Sequence, residues 1–381
     1  MSADFQARVG FWGGYWLPSL AGALLHPPRR PSTAAPRVVA ILLPEYIGDV
    51  VMTVPLLRSL RKRYPSAHLL AAVRPRVAPL LRGCPHLDEV VDWPPGLSAA
   101  ETLARRLRAE GCDLAVVPRS DPDTGWAPWV AARCGAAERI TLTAFAPGLR
   151  RLQRLQGLPF FNVSVVPSPD VAHEVRRRLA LARHWGGDPE ETVLESCSTV
   201  ADRAAAARWR EAVPSGRVPV AFGLGASQAF RRWPAERFAA LIDRLAERRS
   251  LAALPVAGPG EEALAAEVCA RVRTPLALPA PASLPGLAAI LERCSGFVGN
   301  DSGPAHLAAA AGLPVVMISA FAPGLPATHP CSPEKCRPFG PRVRVVQPSL
   351  GAGDGIAGVT VDAVVAAVDA LGFGGGTEAA S

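Results

Sequence analysis

The stretch "SGFVGNDSGPAHLAAAAGLPVVMI", residues 295–318, reads as a strand, a tight turn, a helix, a second turn and a second strand. Gly296, Phe297 and Val298 close a short buried strand, and Asn300, Asp301, Ser302 and Gly303 supply turn chemistry. Pro304 suits the first turn of a helix, where its missing N–H costs nothing. Small residues over 305–311 make a thin helix, Gly312 and Pro314 stop it, and 315–318 resume the sheet. A helix that starts at the carboxyl end of a parallel strand offers free N–H groups and a positive dipole end to an anion such as a diphosphate. Asp301 sits at that mouth, where a carboxylate can accept sugar hydroxyls, and His306 falls one turn into the helix. The same residues also fit a plain structural role, with Asp301 or Ser302 capping the helix and His306 packed in the core.

Alternating strand and helix signals run through all 381 residues, enough for two domains of α/β class. Upstream, "RVVAILLPEYIGDVVMTVPLLRSLRKRYP" predicts a buried strand over 38–43 and an amphipathic helix from 50 to about 64. Asp49 then lies at the strand-to-helix junction, on the edge where open α/β sheets bind ligands. A carboxylate there serves either as general base toward a hydroxyl or as the helix N-cap. Strands are predicted at 68–73, 90–92 and 114–118, with helices at 77–81 and 99–109, and 119–132 reads as a loop rich in Asp and Trp. "APGLRRLQRLQG" (146–157) puts three arginines on a short amphipathic segment suited to lipid or phosphate. Helices follow at 169–185 and 199–213, and 214–216 mark a hinge.

The second half opens with a strand over 218–222 and "GLGASQAFRRWPAERFAALIDRLAER". Gly225, Ala226 and Ser227 let the backbone approach a phosphate, and Arg231 and Arg232 supply charge for a diphosphate. Trp233 packs beneath that turn. "LPVAGPGEEALAAEV" repeats the pattern with Gly258 and Gly260 at the turn, where Glu261 or Glu262 suits a ribose or a base amino group or simply stabilises the first helical turn. A strand over 276–278, a helix over 284–293, a strand over 343–346 and a closing helix from Thr360 to 371 complete the pattern, and the tail 372–381 reads as disordered.

The net charge is +8, and between residues 37 and 185 there are 21 Arg/Lys against 13 Asp/Glu. That half suits an anionic partner such as a phosphorylated lipid or a membrane surface, or a merely solvated basic face. Three tyrosines and no RNA-binding signature argue against nucleic acid. The missing G-x-G-x-x-G fingerprint argues against a dinucleotide-dependent dehydrogenase. Eight cysteines are scattered as buried free thiols are in a reducing compartment. Only "HPCSPEKC" clusters two, Cys331 and Cys336, and these read as loop thiols or a disulfide rather than a metal half-site. Residues 1–36 read as an extension: "VGFWGGYWLPSLAGALL" (9–25) is uncharged, aromatic and suited to a membrane interface, and 26–36 form a linker.

On "IGDVVMTVPLLRSLRKRYP", "GASQAFRRWPAERFAALIDRL", "AGPGEE" and "GNDSGPAHLAAAAGLPVV", in that order, the chain resembles the heptosyltransferase-type glycosyltransferases, glycosyltransferase family 9, over about residues 38–371. The resemblance implies a GT-B fold, two Rossmann-like domains facing across a cleft. An N-terminal acceptor domain would span 37–200 and a C-terminal nucleotide-sugar donor domain 217–350, with a closing helix and tail over 351–381. It also implies inverting, metal-independent transfer without a cofactor, from ADP-heptose to a lipopolysaccharide core or other glycolipid. Asp49 matches the proposed catalytic base. Arg231 falls at the basic position before Trp-Pro, usually lysine, that neutralises the donor diphosphate. Ala226 and Ser227 match donor phosphate contacts, Glu261 an acidic residue near the nucleoside, and Asp301, Ser302, Gly303 and His306 the donor-site loop. Leu43-Pro44-Glu45 departs from the Arg-rich, Gly-containing approach to Gly-Asp that is common in the family. The expected setting is cytoplasmic and peripheral to the inner membrane. The alternatives are transfer of another nucleotide sugar to a polysaccharide or small molecule, or a non-catalytic nucleotide-sugar-binding protein.

Overall fold

Apolar runs without polar alternation form strands buried on both faces, which is the condition for an all-parallel sheet covered by helices. In the computed structural model, which describes residues 35–119, 126–142, 160–168, 170–277, 283–326, 329, 331–349 and 355–373, such runs build two parallel sheets. The first contains β1 (Val38–Leu43), β2 (His68–Val73), β3 (Glu89–Asp92), β4 (Leu114–Val117), β5 (Glu138–Leu142) and β6 (Val163–Val165) in the order β3-β2-β1-β4-β5-β6. The second contains β7 (Val218–Gly223), β8 (Leu251–Val256), β9 (Phe297–Asn300), β10 (Val315–Ile318) and β11 (Val343–Val346) in the order β11-β10-β9-β7-β8. Strand order reverses between β1 and β4 in one sheet and between β7 and β9 in the other. Those reversal points, at the carboxyl ends of the strands, are where open α/β sheets hold ligands.

Two compact units result. Among the described residues, one comprises those up to Glu45 together with those of Pro55–Val171 and Val175–Thr192, and the other comprises Tyr46–Val54, Ala172–Glu174 and those from Val193 onward. The helix α1 (Ile47–Arg63) therefore contributes its first turns to the second unit.

In the first unit, α2 (Pro79–Arg82) and α3 (Leu97–Ala109) follow β2 and β3. At the carboxyl edge of this sheet Glu45, after β1, pairs with Arg119, after β4, at 2.8 Å, and only 6% of the Glu45 side chain is exposed. The predicted loop over 119–132 is a helix in its second part, α4 (Ala127–Arg133), because Pro128 fits its first turn and Ala127, Val130, Ala131 and Ala132 are buried. Strands β5 and β6 escaped the sequence reading. The first opens on charged Glu138 and Arg139, yet Arg139 is buried and donates through Nη1 to Ala132 O at 3.1 Å; the second is three residues long. The helix expected over 169–185 is α5 (Glu174–His184), with His173 just before it, and α1 starts at Ile47, so Asp49 lies inside its first turn. Helix α6 (Val200–Ala212), which belongs to the second unit, is opened by a capping box between Thr199 and Asp202.

Glu101 of α3 receives hydrogen bonds from Arg133 Nη2 at 2.8 Å and Trp129 Nε1 at 3.1 Å, tying α3 to α4. The Arg133 guanidinium foremost, against the opposing effect of burial, holds this carboxyl below the usual glutamate range. A pKa depressed by folding contributes stability that is whole above the unfolded value and is lost as pH falls through the folded one. Glu101→Gln is expected to destabilise the protein by about 1–3 kcal/mol at neutral pH, and urea midpoints should show the gap to wild type closing in acid.

The second unit's core gathers Phe222, Leu224, Trp233, Phe238, Val298, Val316, Ile318, Val364 and Val368. Helices α7 (Ala235–Ala246), α8 (Glu262–Arg271), α9 (Leu284–Leu291), α10 (Gly303–Ala310), α11 (Pro333–Cys336) and α12 (Val361–Leu371) complete it, and Thr360 Oγ1 caps α12 by accepting from Ala363 N at 3.2 Å. The strand predicted over 276–278 reduces, among the described residues, to one parallel bridge between Ala253 and Leu276, since Pro275 has no N–H to extend the ladder. The segments 9–25 and 146–157, and the tail beyond Phe373, lie outside the described residues.

Candidate active site

Two loops leave the reversal point of the second sheet, one after β7 and one after β9. Their close approach depends on glycine: a Cβ on Gly299 would stand 2.7 Å from Gly223 Cα, and one on Gly223 would stand 2.4 Å from the Phe297 ring. Asn300, at the end of β9, fixes the two loops together. Its Nδ2 donates to Leu224 O at 2.6 Å, and its Oδ1 accepts from Trp233 N at 3.0 Å. The sequence suggested a turn role for Asn300, but it is fully buried in the last position of the strand. Its amide is a crosslink between neighbouring loops, a role that buried polar groups take because an unpaired one is costly.

This crosslink brings Arg231 to Asp301. Arg231 closes a short 3₁₀ turn (Ala229–Arg231), and its Nη1 stands 3.2 Å from Asp301 Oδ2. Ser302 occupies the N-cap position of α10, yet its hydroxyl makes no cap hydrogen bond and instead donates to Asn300 O at 3.2 Å. Asp301 is therefore bound to a cation, and the capping roles offered by the sequence are not taken up by either side chain. The amino end of α10 starts at Gly303, whose missing side chain lets Ile47 pack there: a Cβ would lie 2.7 Å from Ile47 Cβ.

Ile47 belongs to the first turn of α1, and so does Asp49, whose backbone carbonyl accepts from Thr53 Oγ1 at 2.8 Å. His306 is buried and lies against the same turn, since a Cβ on Gly48 would meet its Cδ2 at 2.8 Å. Asp49, Asp301, Arg231, Ser302, Gly303 and His306 thus belong to one unit, with the first turn of α1 packed on the first turn of α10. Cys336 senses both carboxylates: burial, then Asp301 and Asp49 among its neighbours, pushes its thiol up to about 12.

The remaining sequence candidates lie in the loop after β7 and in the turn after β8. Ala226 is buried, and its carbonyl accepts from Arg232 Nε at 2.9 Å, while Ser227 is exposed. Glu261 tucks under Gly225, where a Cβ would fall 1.7 Å from Glu261 Oε2. That oxygen accepts from Gly258 N at 2.7 Å, and Oε1 stands 3.5 Å from Arg232 Nη2. Glu261 therefore braces the two glycine-containing turns against each other.

The surroundings of Arg231 were not readable as a group from the sequence. Its guanidinium carbon lies 5.7 Å from the Phe230 ring centre and 5.4 Å from that of Phe321, and its Nη2 donates to Cys331 Sγ at 3.2 Å. All eight cysteines are free thiols, so Cys331 and Cys336 form no disulfide. Among the described residues no cluster of His, Cys, Asp and Glu is arranged to hold a metal ion, and no helix is long and apolar enough to cross a membrane.

The model of glycosyltransferase family 9 (heptosyltransferase) matches residues 137–350, more than half of the chain. Lipopolysaccharide heptosyltransferase 3 of Escherichia coli is 25% identical over 71% of this chain and 80% of its own length. Lipopolysaccharide heptosyltransferase 2 of Escherichia coli K12 is 26% identical over 81% of this chain and 87% of its own. The solved structure of E. coli ADP-heptose lps heptosyltransferase II superposes with a TM-score of 0.69 at 21% identity, covering 88% of this chain and 98% of that one. E. coli heptosyltransferase WaaC with ADP-2-deoxy-2-fluoro heptose gives 0.64 at 19% identity, covering 88% and 99%. The fold is thus of the GT-B type, as the resemblance implied. On the family match and the two parallel sheets, the chain belongs to glycosyltransferase family 9, the heptosyltransferase type, and is a glycosyltransferase.

Proposed function

We propose that this glycosyltransferase moves a heptose from ADP-heptose to a lipopolysaccharide-core or related glycolipid acceptor, with inversion and without a metal. The observation that carries this is the joining of Arg231, Asp301 and the Asp49 turn at the reversal point of one sheet. The donor class follows the E. coli relatives, whose names carry ADP-heptose and lipopolysaccharide. Asp49 takes the proton of an acceptor hydroxyl as its oxygen attacks the anomeric carbon of the sugar. The bond from that carbon to the diphosphate breaks on the opposite face, which inverts the anomeric centre. The electron pair leaves with the diphosphate, whose charge is met by Arg231 and by the free N–H groups at the amino end of α10. Asp301 orients Arg231 and accepts sugar hydroxyls, and Ala226, Ser227, Ser302 and Gly303 line the phosphate path. Glu261 acts at the nucleoside side by holding the Gly225 and Gly258 turns in register. His306 supports the turn that carries Asp49. A sequence pI of about 9.4 suits work at an anionic lipid surface on the cytoplasmic side.

Calorimetric titration with ADP, UDP, GDP and dTDP in the presence of a chelator tests the donor side. ADP is expected to bind tightest, and Arg231→Ala to weaken it by about 10-fold or more, the loss of a charge-assisted contact. Tighter binding of another nucleotide would replace the donor, and binding that vanishes with the chelator would remove metal independence.

A further inference from the structure

We propose that Phe230, Phe321 and Cys331 form a cage built for a guanidinium, which makes Phe230, Phe321 and Cys331 positioning residues for Arg231 and makes lysine a poor substitute there. This rests on the assignment of Arg231 to the donor diphosphate. An ammonium is a compact point charge, whereas a guanidinium is planar, offers five donors in fixed directions and is weakly hydrated over its faces. The neighbours of Arg231 match the second description. Two aromatic rings lie within cation–π range of its carbon, at 5.7 and 5.4 Å. The rings touch each other edge to face, with centroids 6.0 Å apart, so the cage is a single packed object. Two separate acceptors take its two terminal nitrogens, Asp301 Oδ2 and Cys331 Sγ, each at 3.2 Å. Its Nε is buried and has no hydrogen-bond partner among the described residues.

Two of the walls, Phe321 and Cys331, are anchored by their own backbone. Phe321 N donates to Ser319 Oγ at 3.2 Å, and Phe321 O accepts from Gln347 Nε2 at 2.9 Å. Cys331 N donates to His329 Nδ1 at 3.2 Å, and the His329 ring lies 6.2 Å from that of Phe321. Phe230 is 55% exposed, and its ring meets both the Arg231 guanidinium and the Phe321 ring. An ammonium at the end of a lysine stem cannot lie along both rings while also reaching both acceptors. The "HPCSPEKC" loop and the arginine before Trp-Pro, two separate oddities of the sequence, are thereby one device.

The test is a double-mutant cycle on the full chain, reading the ADP dissociation constant of wild type, R231K, F230L/F321L and the triple variant. A cation–π cage of about 0.5–2 kcal/mol corresponds to about 2- to 30-fold in affinity. F230L/F321L is expected to lose that factor when Arg231 is present and to lose little in the R231K background, so the effects are non-additive. C331S, which keeps an acceptor, should bind ADP as wild type does, and C331A should not. A second readout needs no donor: the rate at which phenylglyoxal modifies Arg231, followed by mass spectrometry, should rise in F230L/F321L. Additive losses, R231K binding as wild type, or equal binding by C331S and C331A with unchanged phenylglyoxal rates would overturn the cage. Failure of wild type to bind any nucleoside diphosphate would instead overturn the donor assignment, and the phenylglyoxal rates alone would then decide the cage.

Discussion

Asp49→Asn is expected to lower turnover about 10²- to 10⁴-fold, the usual worth of a positioned general base. Asparagine has the shape of aspartate but cannot take a proton from an acceptor hydroxyl. The turn that carries the side chain should survive, because the Thr53 hydroxyl bonds to the Asp49 backbone carbonyl and the Gly48–His306 contact involves no Asp49 side-chain atom. The stability cost of losing an acid from the first turn of a helix is only about 0.3–1 kcal/mol. ADP affinity should also be unchanged, since the proposed diphosphate site is Arg231 and the amino end of α10. Steady-state rates beside calorimetry separate these effects. Wild-type turnover in the variant would remove Asp49 as the base, and a parallel loss of ADP binding would move it to the donor site.

Trp233→Ala is expected to cost about 3–5 kcal/mol of stability, a large share of the 5–15 kcal/mol typical of a domain. Trp233 is fully buried, its indole N–H donates to Val359 O at 2.9 Å, and its ring meets Phe238 edge-on at 5.0 Å. Its backbone N–H is the group that Asn300 grips, so the residue joins the core to the loop that carries Arg231. Truncation leaves a cavity and removes one of the two hydrogen bonds to the Val359 carbonyl, which keeps Arg237 Nη1 at 2.7 Å. Trp233→Phe should restore most of the packing but not the bond to Val359. Urea midpoints of the two variants measure the difference, and a loss below about 1 kcal/mol for alanine would contradict a supporting role for this ring.

The sheets were legible because parallel strands buried on both faces are written as plain apolar runs, such as residues 38–43 and 315–318. The strand Glu138–Leu142 was not, because a charged pair at its start reads as a loop unless one knows that Arg139 finds a carbonyl inside the core. The short helix Ala127–Arg133 was hidden by the Pro and Trp that surround it, although a proline in a first turn was itself a usable signal. Asn300 shows the limit of turn propensity: four turn-forming residues in a row do not say which of them is the last residue of the strand. Arg231 and Asp301 were legible one by one from local motifs. Their pairing was not, since it joins side chains 70 residues apart, and Cys331 reaches Arg231 across 100. The Glu45–Arg119 pair is a similar long-range product, and it buries a carboxylate in the Leu43-Pro44-Glu45 stretch, the one that departs from the Arg-rich approach common in the family.

The most direct test of the central claim is transfer itself. Purified protein is incubated with ADP-heptose and a heptose-deficient lipopolysaccharide core in the presence of a chelator, and the acceptor is followed by mass spectrometry and anomeric NMR. On this mechanism one added heptose per acceptor, release of one ADP, and an anomeric configuration opposite to that of the donor are expected. Transfer from a different nucleotide sugar, with ADP-heptose left intact, would contradict it.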